Sequence, residues 1–543
     1  MKKIKRILAV LMTLTLMMAF PVSGYADDTT AAGPYTITVT NAASGHTYEA
    51  YQIFTGDLST DGILSNIQWG SGVNSGTLLT ALVADATIGS KFTDGMSAAD
   101  VAEAMSGITR DSAEAKAFAQ VIGQNLATVA KTSVVGTGKY TISGLAAGYY
   151  FVKDKDGTQT TDGTQTTDAY TRFILQVVGN TEVKSKSSAP SVVKKVKENV
   201  KYTLDENYGA GYNDVADYNI GDTIPFELIG TLPSNYADYT TYNYVFHDTA
   251  SAGLTIDLNS VKVYVGNAEI TSNFSAALDA DGQKLTVTCE NLKLITSVSA
   301  TSKIVVQYNA TLNSSAVIGL DGNPNEVYLT FSNNSNEGGE GDTGKTPTDK
   351  VIVFTYELDT TKVDGKDATK KLAGAEFELY KTVTVDGTAT TYYAVVANDI
   401  LTGWTTDETK ATKLISSDPD GLFKVKGLDD GIYNLKETKA PAGYNLLSDP
   451  VVLTITATTV NGQNWSGTAS DALTALNITV GSTTTAGDTS TGIVGATVKN
   501  NQGSTLPSTG GMGTILFTAA GLLLVILAGI LVVMKKKKSS EEI

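Results

Sequence analysis

The sequence predicts a mainly β chain: three tandem β-sandwich domains set between an N-terminal export signal and a C-terminal membrane span. Two observations carry the fold class. Stretches such as Tyr35-Thr-Ile-Thr-Val-Thr40 and Lys284-Leu-Thr-Val-Thr288 alternate with period two between turn residues, the pattern of half-buried strands. Two polar connectors, Lys184-Ser-Lys-Ser-Ser-Ala-Pro190 and Glu337-Gly-Gly-Glu-Gly-Asp-Thr-Gly344, divide the 543 residues into lengths suited to single domains.

Residues 1–26 read as a cleaved secretory signal. Lys2, Lys3, Lys5 and Arg6 precede an apolar run from Ile7 to Phe20, and Gly24-Tyr25-Ala26 offers small residues for cleavage. The first domain, 27–187, breaks the β pattern once. Ser97-Ala-Ala-Asp100 is a capping-box sequence, and 98–105 and 111–131 have helical spacing, so a small helical insertion is expected there. Asp156-Gly-Thr-Gln-Thr-Thr161 recurs at once as 162–167 and reads as a solvated loop. The second domain spans 188–345 and the third 346–503, with a last strand and short stalk over 496–505. Residues 504–543 hold Leu506-Pro507-Ser508-Thr509-Gly510 and an uncharged apolar run from Ile515 to Met534, long enough to cross a bilayer as a helix. Lys535 to Lys538 follow and belong on the cytoplasmic side, which puts the upstream chain outside the cell.

Composition excludes several functions. A net charge of −16 with no basic patch argues against a nucleic-acid partner. Cys289 is the one cysteine, so no intramolecular disulfide can reinforce an exported chain. His46 and His247 stand far apart, and no Cys/His cluster has metal-ligand spacing. Asp279-Ala-Asp281-Gly282 opens like a calcium loop but lacks the remaining ligands and reads as a turn. His247 reads as a strand-end residue. No cofactor and no metal are expected.

Four motifs carry resemblances. The ordered tail, pentapeptide then span then lysines, resembles the LPXTG cell-wall sorting signal that sortases read, with Leu506, Pro507, Ser508, Thr509 and Gly510 as the motif. Gly431-Ile-Tyr-Asn-Leu-Lys-Glu437-Thr-Lys-Ala-Pro-Ala-Gly-Tyr444 resembles the E-box of CnaB domains. Leu358–Asp364, Leu372–Tyr380 and Ala496–Asn500 resemble the same family's other strands. That resemblance implies an immunoglobulin-like, Cna-type fold and a spontaneous isopeptide bond, with Lys362 as nucleophile, Asn500 as the amide and Glu437 as catalyst. Such chemistry needs a site apolar enough to favour a neutral amine, and a catalytic acid able to donate to the Asn carbonyl and shuttle protons. In the second domain, Pro190–Val196, Phe246–Thr249 and Val327–Asn334 resemble the central isopeptide-forming domain of fimbrial backbone proteins. By motif position Lys194 is the amine, Asp248 the acid and Asn333 the amide, with Lys195 and Asn334 left open as competitors. In the first domain Gly148–Asp154 echoes the E-box, but the leading strand has no lysine, and no crosslink is expected there.

The fourth motif concerns assembly. Sortase-built pili need a lysine after the first domain that attacks the acyl-enzyme formed at the threonine of another subunit. That place here reads Val183-Lys-Ser-Lys-Ser187, without the usual Tyr-Pro, so Lys186 is the candidate and Lys184 the alternative. The whole order resembles a major (backbone) pilin of a sortase-assembled fimbrium in Gram-positive bacteria, a structural protein and not a turnover enzyme. The resemblance implies as partners a pilus-type sortase, a housekeeping sortase, further copies of the chain, peptidoglycan and accessory pilins. The location implied is the cell wall. The alternative is a monomeric wall-anchored adhesin for a host or matrix ligand, which would need no reactive lysine at the junction.

Overall fold

The computed structural model describes residues 35–503 and 512–539, apart from 42–44, 110–111, 136–137, 157–168, 186–187, 200–208, 210, 342 and 460–464. The signal peptide, Leu506–Gly510, Lys186 and residues 157–167 of the tandem hexapeptide lie outside the described residues.

In domain one the alternation of Tyr35–Thr40 turns Ile37 and Val39 inward, against Tyr140 and Ile142 of the antiparallel neighbour Lys139–Leu145. On its other side Tyr35–Thr40 pairs in parallel with Thr181–Lys184, the last strand of the domain. The facing sheet holds Gly148–Asp154 between Tyr48–Leu58 and Arg172–Val177. Helices Ser75–Ala84, Ala98–Met105 and Ala113–Gly123 form the expected insertion and bury Leu78, Leu82, Val101, Met105, Phe118 and Ile122 in a separate core. The capping box forms: Ser97 N donates to Asp100 Oδ2 at 2.9 Å, and Asp100 N to Ser97 Oγ at 3.3 Å. The third helix ends at Gly123, short of the expected 131, at a residue that weakens helix. Ser75–Ala84 was not expected, because Gly76, Thr77 and Thr80 hide its period; Asn74 caps it.

Domain two packs a six-stranded sheet, with Val192–Lys197 near one edge, against a seven-stranded sheet. The second boundary falls at Thr355 and not at 345. Asp349–Phe354 pairs antiparallel with Asn323–Ser332 and parallel with Val215–Asp217, both strands of domain two. The reason is legible in Val351-Ile-Val-Phe354, apolar on both faces: Val351 and Val353 enter the core of domain two, Ile352 and Phe354 that of domain three.

Domain three begins at Tyr356–Asp364 and ends at Ile493–Asn500, which lie side by side and parallel in an eleven-stranded sheet. The last strand thus starts before the expected Ala496. Domains two and three approach closely at Gly319 and Gly492, both at positive φ, where a Cβ on either would lie 2.5 Å from the other's backbone. Helix Met512–Ser539 carries the apolar tail; its window Phe517–Met534 has a mean hydropathy of 2.7 and no residue buried.

Candidate functional site

The parallel register of domain three sets Lys362 opposite Val498 and Asp364 opposite Asn500. Lys362 therefore reaches along the neighbouring strand: its Nζ donates to Val498 O at 3.2 Å and to Asn500 Oδ1 in a close contact. Glu437 comes from the E-box strand Gly431–Lys439, with Oε1 3.8 Å from Lys362 Nζ. Lys362 and Asn500 are fully buried and Glu437 nearly so. Burial lowers the Lys362 amine from 10.5 to about 8, against the pull of Glu437. The expectation that Glu437 addresses the Asn carbonyl is corrected. Asn500 Nδ2 donates to Glu437 Oε1 and Oε2, each at 2.9 Å, and to Asn445 O at 2.9 Å. The physical reason is that Lys362 already occupies the carbonyl oxygen, so the acid faces the nitrogen that would leave.

In domain two the alternatives at the amine resolve by parity. Lys194 points between the sheets: its Nζ contacts Asp248 Oδ2 closely and donates to Tyr308 Oη at 2.9 Å. Lys195 points the other way, to Asp214, whose Oδ2 also accepts Trp465 N of domain three at 2.9 Å. Tyr308 Oη donates to Asp248 Oδ1 at 3.0 Å, and Phe226 stacks on the Tyr308 ring at 5.4 Å. Lys194 and Asp248 are wholly enclosed. Desolvation drives the amine's pKa down and the carboxyl's up, each opposed by its partner, so burial favours the neutral amine beside the neutral acid.

The amide of this cluster is Asn325, not Asn333. Asn325 Nδ2 donates to Tyr308 Oη at 2.7 Å, while its buried Oδ1 has no hydrogen-bond partner among the described residues. Asn333 shares the strand's parity, but Asp248 pairs with Val327, so Asn333 lies six positions beyond that pair, roughly 20 Å along the strand. It sits where domain one meets domain two, its carbonyl accepting Tyr170 N at 2.8 Å. Asn334 lies there too, 3.4 Å from Asp156 Oδ1. Sequence reasoning missed Asn325 and Tyr308. Both stand on inward positions of alternating strands, Asn323–Ser332 and Ile304–Leu312, which was the available signal.

Domain one keeps the E-box acid but pairs it differently. Asp154 Oδ1 lies 2.6 Å from His46 Nδ1, and Oδ2 accepts Thr171 N at 2.5 Å. His247 is a strand-interior residue, not the strand-end residue expected, with Nε2 2.9 Å from Thr330 Oγ1 and its ring stacked on Tyr328. Asp279 closes a turn, its Oδ1 accepting Gln283 N and Lys284 N. Lys184 ends its strand exposed to solvent.

Comparison with known proteins matches three segments to families. Residues 220–335 match the Gram-positive pilin backbone subunit 2, Cna-B-like domain; residues 357–467 a prealbumin-like fold domain; and residues 498–541 the LPXTG cell wall anchor motif. The trypsin-resistant surface T6 protein of Streptococcus pyogenes serotype M6 is 28% identical over 308 residues, 53% of this chain and 50% of that protein. The chain thus spans about half the length of that curated relative. Among solved structures, the T6 backbone pilin of serotype M6 Streptococcus pyogenes aligns with a TM-score of 0.49 and 16% identity over 88% of this chain and 100% of the other. The full-length major pilin SpaD from Corynebacterium diphtheriae aligns at 0.45 and 19% over 87% and 98%. The chain thus carries one segment that matches a Gram-positive pilin backbone domain, one that matches a prealbumin-like fold domain, and a C-terminal segment that matches an LPXTG cell wall anchor.

The amine of Lys362 has a measurable consequence for any chain left uncrosslinked. Its native pKa, about 8, lies below the 10.5 of the free side chain, so between those values the unfolded state binds the extra proton. Stability of an Asn500→Ala chain should therefore rise as pH increases from about 8 to 10.5. Denaturant unfolding across that window, compared with Lys362→Met/Asn500→Ala, checks it: the rise should vanish in the double variant.

Proposed function

We propose that this chain is the structural backbone subunit of a sortase-assembled pilus, joined covalently through Thr509 to a lysine of the next subunit and anchored to peptidoglycan. The observation that supports it best is the enclosure of Lys362, Asn500 and Glu437 between the first and last strands of domain three, upstream of an LPXTG motif. In that site neutral Lys362 Nζ attacks Asn500 Cγ. Glu437 takes the proton that the amine loses and delivers it to Nδ2, which leaves as ammonia. Holding the reactants side by side supplies the remaining acceleration. In domain two Lys194 attacks Asn325, and Asp248 with Tyr308 performs the transfer. Each link closes a loop of well over a hundred residues, which on the chain-entropy treatment of crosslinks stabilises by roughly 5 kcal/mol.

Partners of the proposed function are a pilus-type sortase for polymerisation, a housekeeping sortase for wall attachment, further copies of the chain and accessory pilins. Sortase cuts between Thr509 and Gly510. The acceptor is Lys186, in the connector after domain one, with Lys184 at the exposed end of that domain's last strand the alternative; from either place a long side chain reaches a bound thioester without unfolding a domain. Lys194 and Lys362 are buried and are poor acceptors. The monomeric adhesin remains the second reading, and a ladder of SDS-resistant species in wall extracts separates the two.

The intact mass of the folded chain should fall by one ammonia per link, two in all. Asn325→Ala or Asp248→Ala should restore one, Asn500→Ala or Glu437→Ala the other, and Asn333→Ala neither. An unmodified wild-type mass would falsify the crosslinks.

Lys186→Ala should remove the ladder while leaving the monomer anchored and internally linked. Survival in that variant and loss in Lys184→Ala would move the acceptor by one side-chain repeat. Survival in the double variant would favour the adhesin.

A further inference from the structure

The amide of domain three is held in part by a segment that belongs to neither of its neighbouring strands. Residues 440–450 join Gly431–Lys439 to Val451–Thr459, and their ladder contact is a single bridge from Tyr444 to Gln502. The segment opens on a turn. Tyr444 N donates to Pro441 O at 3.1 Å, and Gly443 takes a φ of 84°, as the third place of a type II turn requires. Asn445 and Leu446 beyond it are exposed. Two backbone groups of this exposed segment nevertheless reach the reacting groups. Asn445 O accepts from Asn500 Nδ2 at 2.9 Å, and Leu447 N donates to Glu437 Oε2 at 2.9 Å. With Glu437 also accepting from Nδ2 and Lys362 on the carbonyl oxygen, both ends of the amide are engaged and its plane is fixed.

One side chain ties the segment down. Tyr444 Oη donates to Asp364 Oδ2 at 2.7 Å. Asp364 stands opposite Asn500 in the parallel register, two residues beyond Lys362, and Gly365 N donates to Asn500 O at 2.8 Å. Asn445 N donates to Asn501 O at 3.0 Å. Tyr444 therefore grips the ends of the first and last strands, two residues from the amine on one and two from the amide on the other. Asp364 is itself fixed, its Oδ1 accepting Lys366 N at 2.8 Å and Asp367 N at 3.3 Å. The Tyr444 hydroxyl, with the Lys366 amide, holds the Asp364 carboxyl below its ordinary pKa. Lys370 Nζ also approaches Asp364 Oδ2, at 3.7 Å, but that lysine is about half exposed, and such pairs contribute little beside a short hydrogen bond.

We propose that Tyr444 is a positioning residue for the crosslink of domain three: its hydroxyl, held by Asp364, seats the segment whose Asn445 carbonyl and Leu447 amide hold Asn500 and Glu437 in place. The inference rests on the Lys362–Asn500 link. In that reaction the Nζ–Cγ bond forms as Cγ–Nδ2 breaks, and the amine's proton passes through Glu437 to the departing ammonia. The amine must approach across the amide plane, so the hold on that plane sets the rate, and a misplacement of 1 Å costs about a hundredfold. The Tyr444 hydroxyl bonds Asp364 and not a reacting group, so its effect passes through the backbone of the next three residues.

The test is the rate of linking in the full chain. Unlinked chain recovered in urea is refolded with detergent in acidic buffer, where Lys362 keeps its proton, and then jumped to a series of higher pH values. The linked Lys362–Asn500 peptide is counted by mass spectrometry, and fluorescence reports folding. Tyr444→Phe should slow linking about tenfold at every pH, with the midpoint of the pH profile unmoved at about 8, because the hydroxyl governs aim and not the burial of the amine. A wild-type rate in Tyr444→Phe overturns the proposal. So does a slowing in which the midpoint moves toward 10.5, the mark of water entering a loosened site. Asp364→Ala should slow linking as much, and the double variant no more than either; effects that multiply overturn it. Where Tyr444→Phe yields no folded chain, Asp364→Ala decides by the same rate and midpoint. Wild-type chain is run in parallel. If it folds without joining Lys362 to Asn500, the crosslink reading itself fails, and the role of Tyr444 with it.

Discussion

Everything distinctive in this molecule depends on lysine amines enclosed where water cannot solvate their charge. Lys194 and Lys362 have no solvent exposure, and desolvation is the leading influence on both. A buried ammonium is costly unless paired, and here each faces a carboxylate and an amide-bearing neighbourhood. Burial weakens the claim of nitrogen on its proton, which is what a nucleophile needs. A covalent amide would take the lysine nitrogen out of titration altogether.

The placement of these sites gives the chain a mechanical logic. Force entering the connector before domain two meets Lys194 within its first strand, and would pass by the proposed link to Asn325 without loading the intervening strands. It then runs along Asn323–Ser332, Asp349–Phe354 and Tyr356–Asp364 to Lys362, and across to Asn500 ahead of the tail. The unlinked stretch crosses the boundary between domains two and three. That boundary is braced by the Gly319–Gly492 approach, by Lys195 and Asp214 with Trp465, and by Tyr433 Oη donating to Asn219 Oδ1 at 3.1 Å. Domain one lies outside this path.

Much of this was legible in the sequence. Alternation located the strands, the capping box located one helix to the residue, and three separate motifs of the CnaB resemblance named Glu437, Lys362 and Asn500, whose side chains meet in the core of domain three. What failed did so for identifiable reasons. Asn325 and Asn333 share parity, so alternation could not choose between them; only the pairing of Asp248 with Val327 does, and pairing register across distant strands leaves no local signal. The boundary at Thr355 was hidden because a Gly- and acid-rich loop resembles a linker, whereas Val351–Phe354 serves two cores at once. Tyr308 and His46 act through contacts with residues more than fifty positions away, which no motif spans.

Pulling a single chain between residue 188 and Gly503 tests the crosslinked path most directly. Each link would lock more than 130 residues, which unfolded would span roughly 430 Å at about 3.3 Å per residue. With both links formed, domains two and three should show no extension step of that size at any force below covalent rupture, and only a short gain from the stretch between Asn325 and Lys362. Steps of several hundred ångströms in the wild-type chain, equal to those in Asn325→Ala/Asn500→Ala, would contradict it.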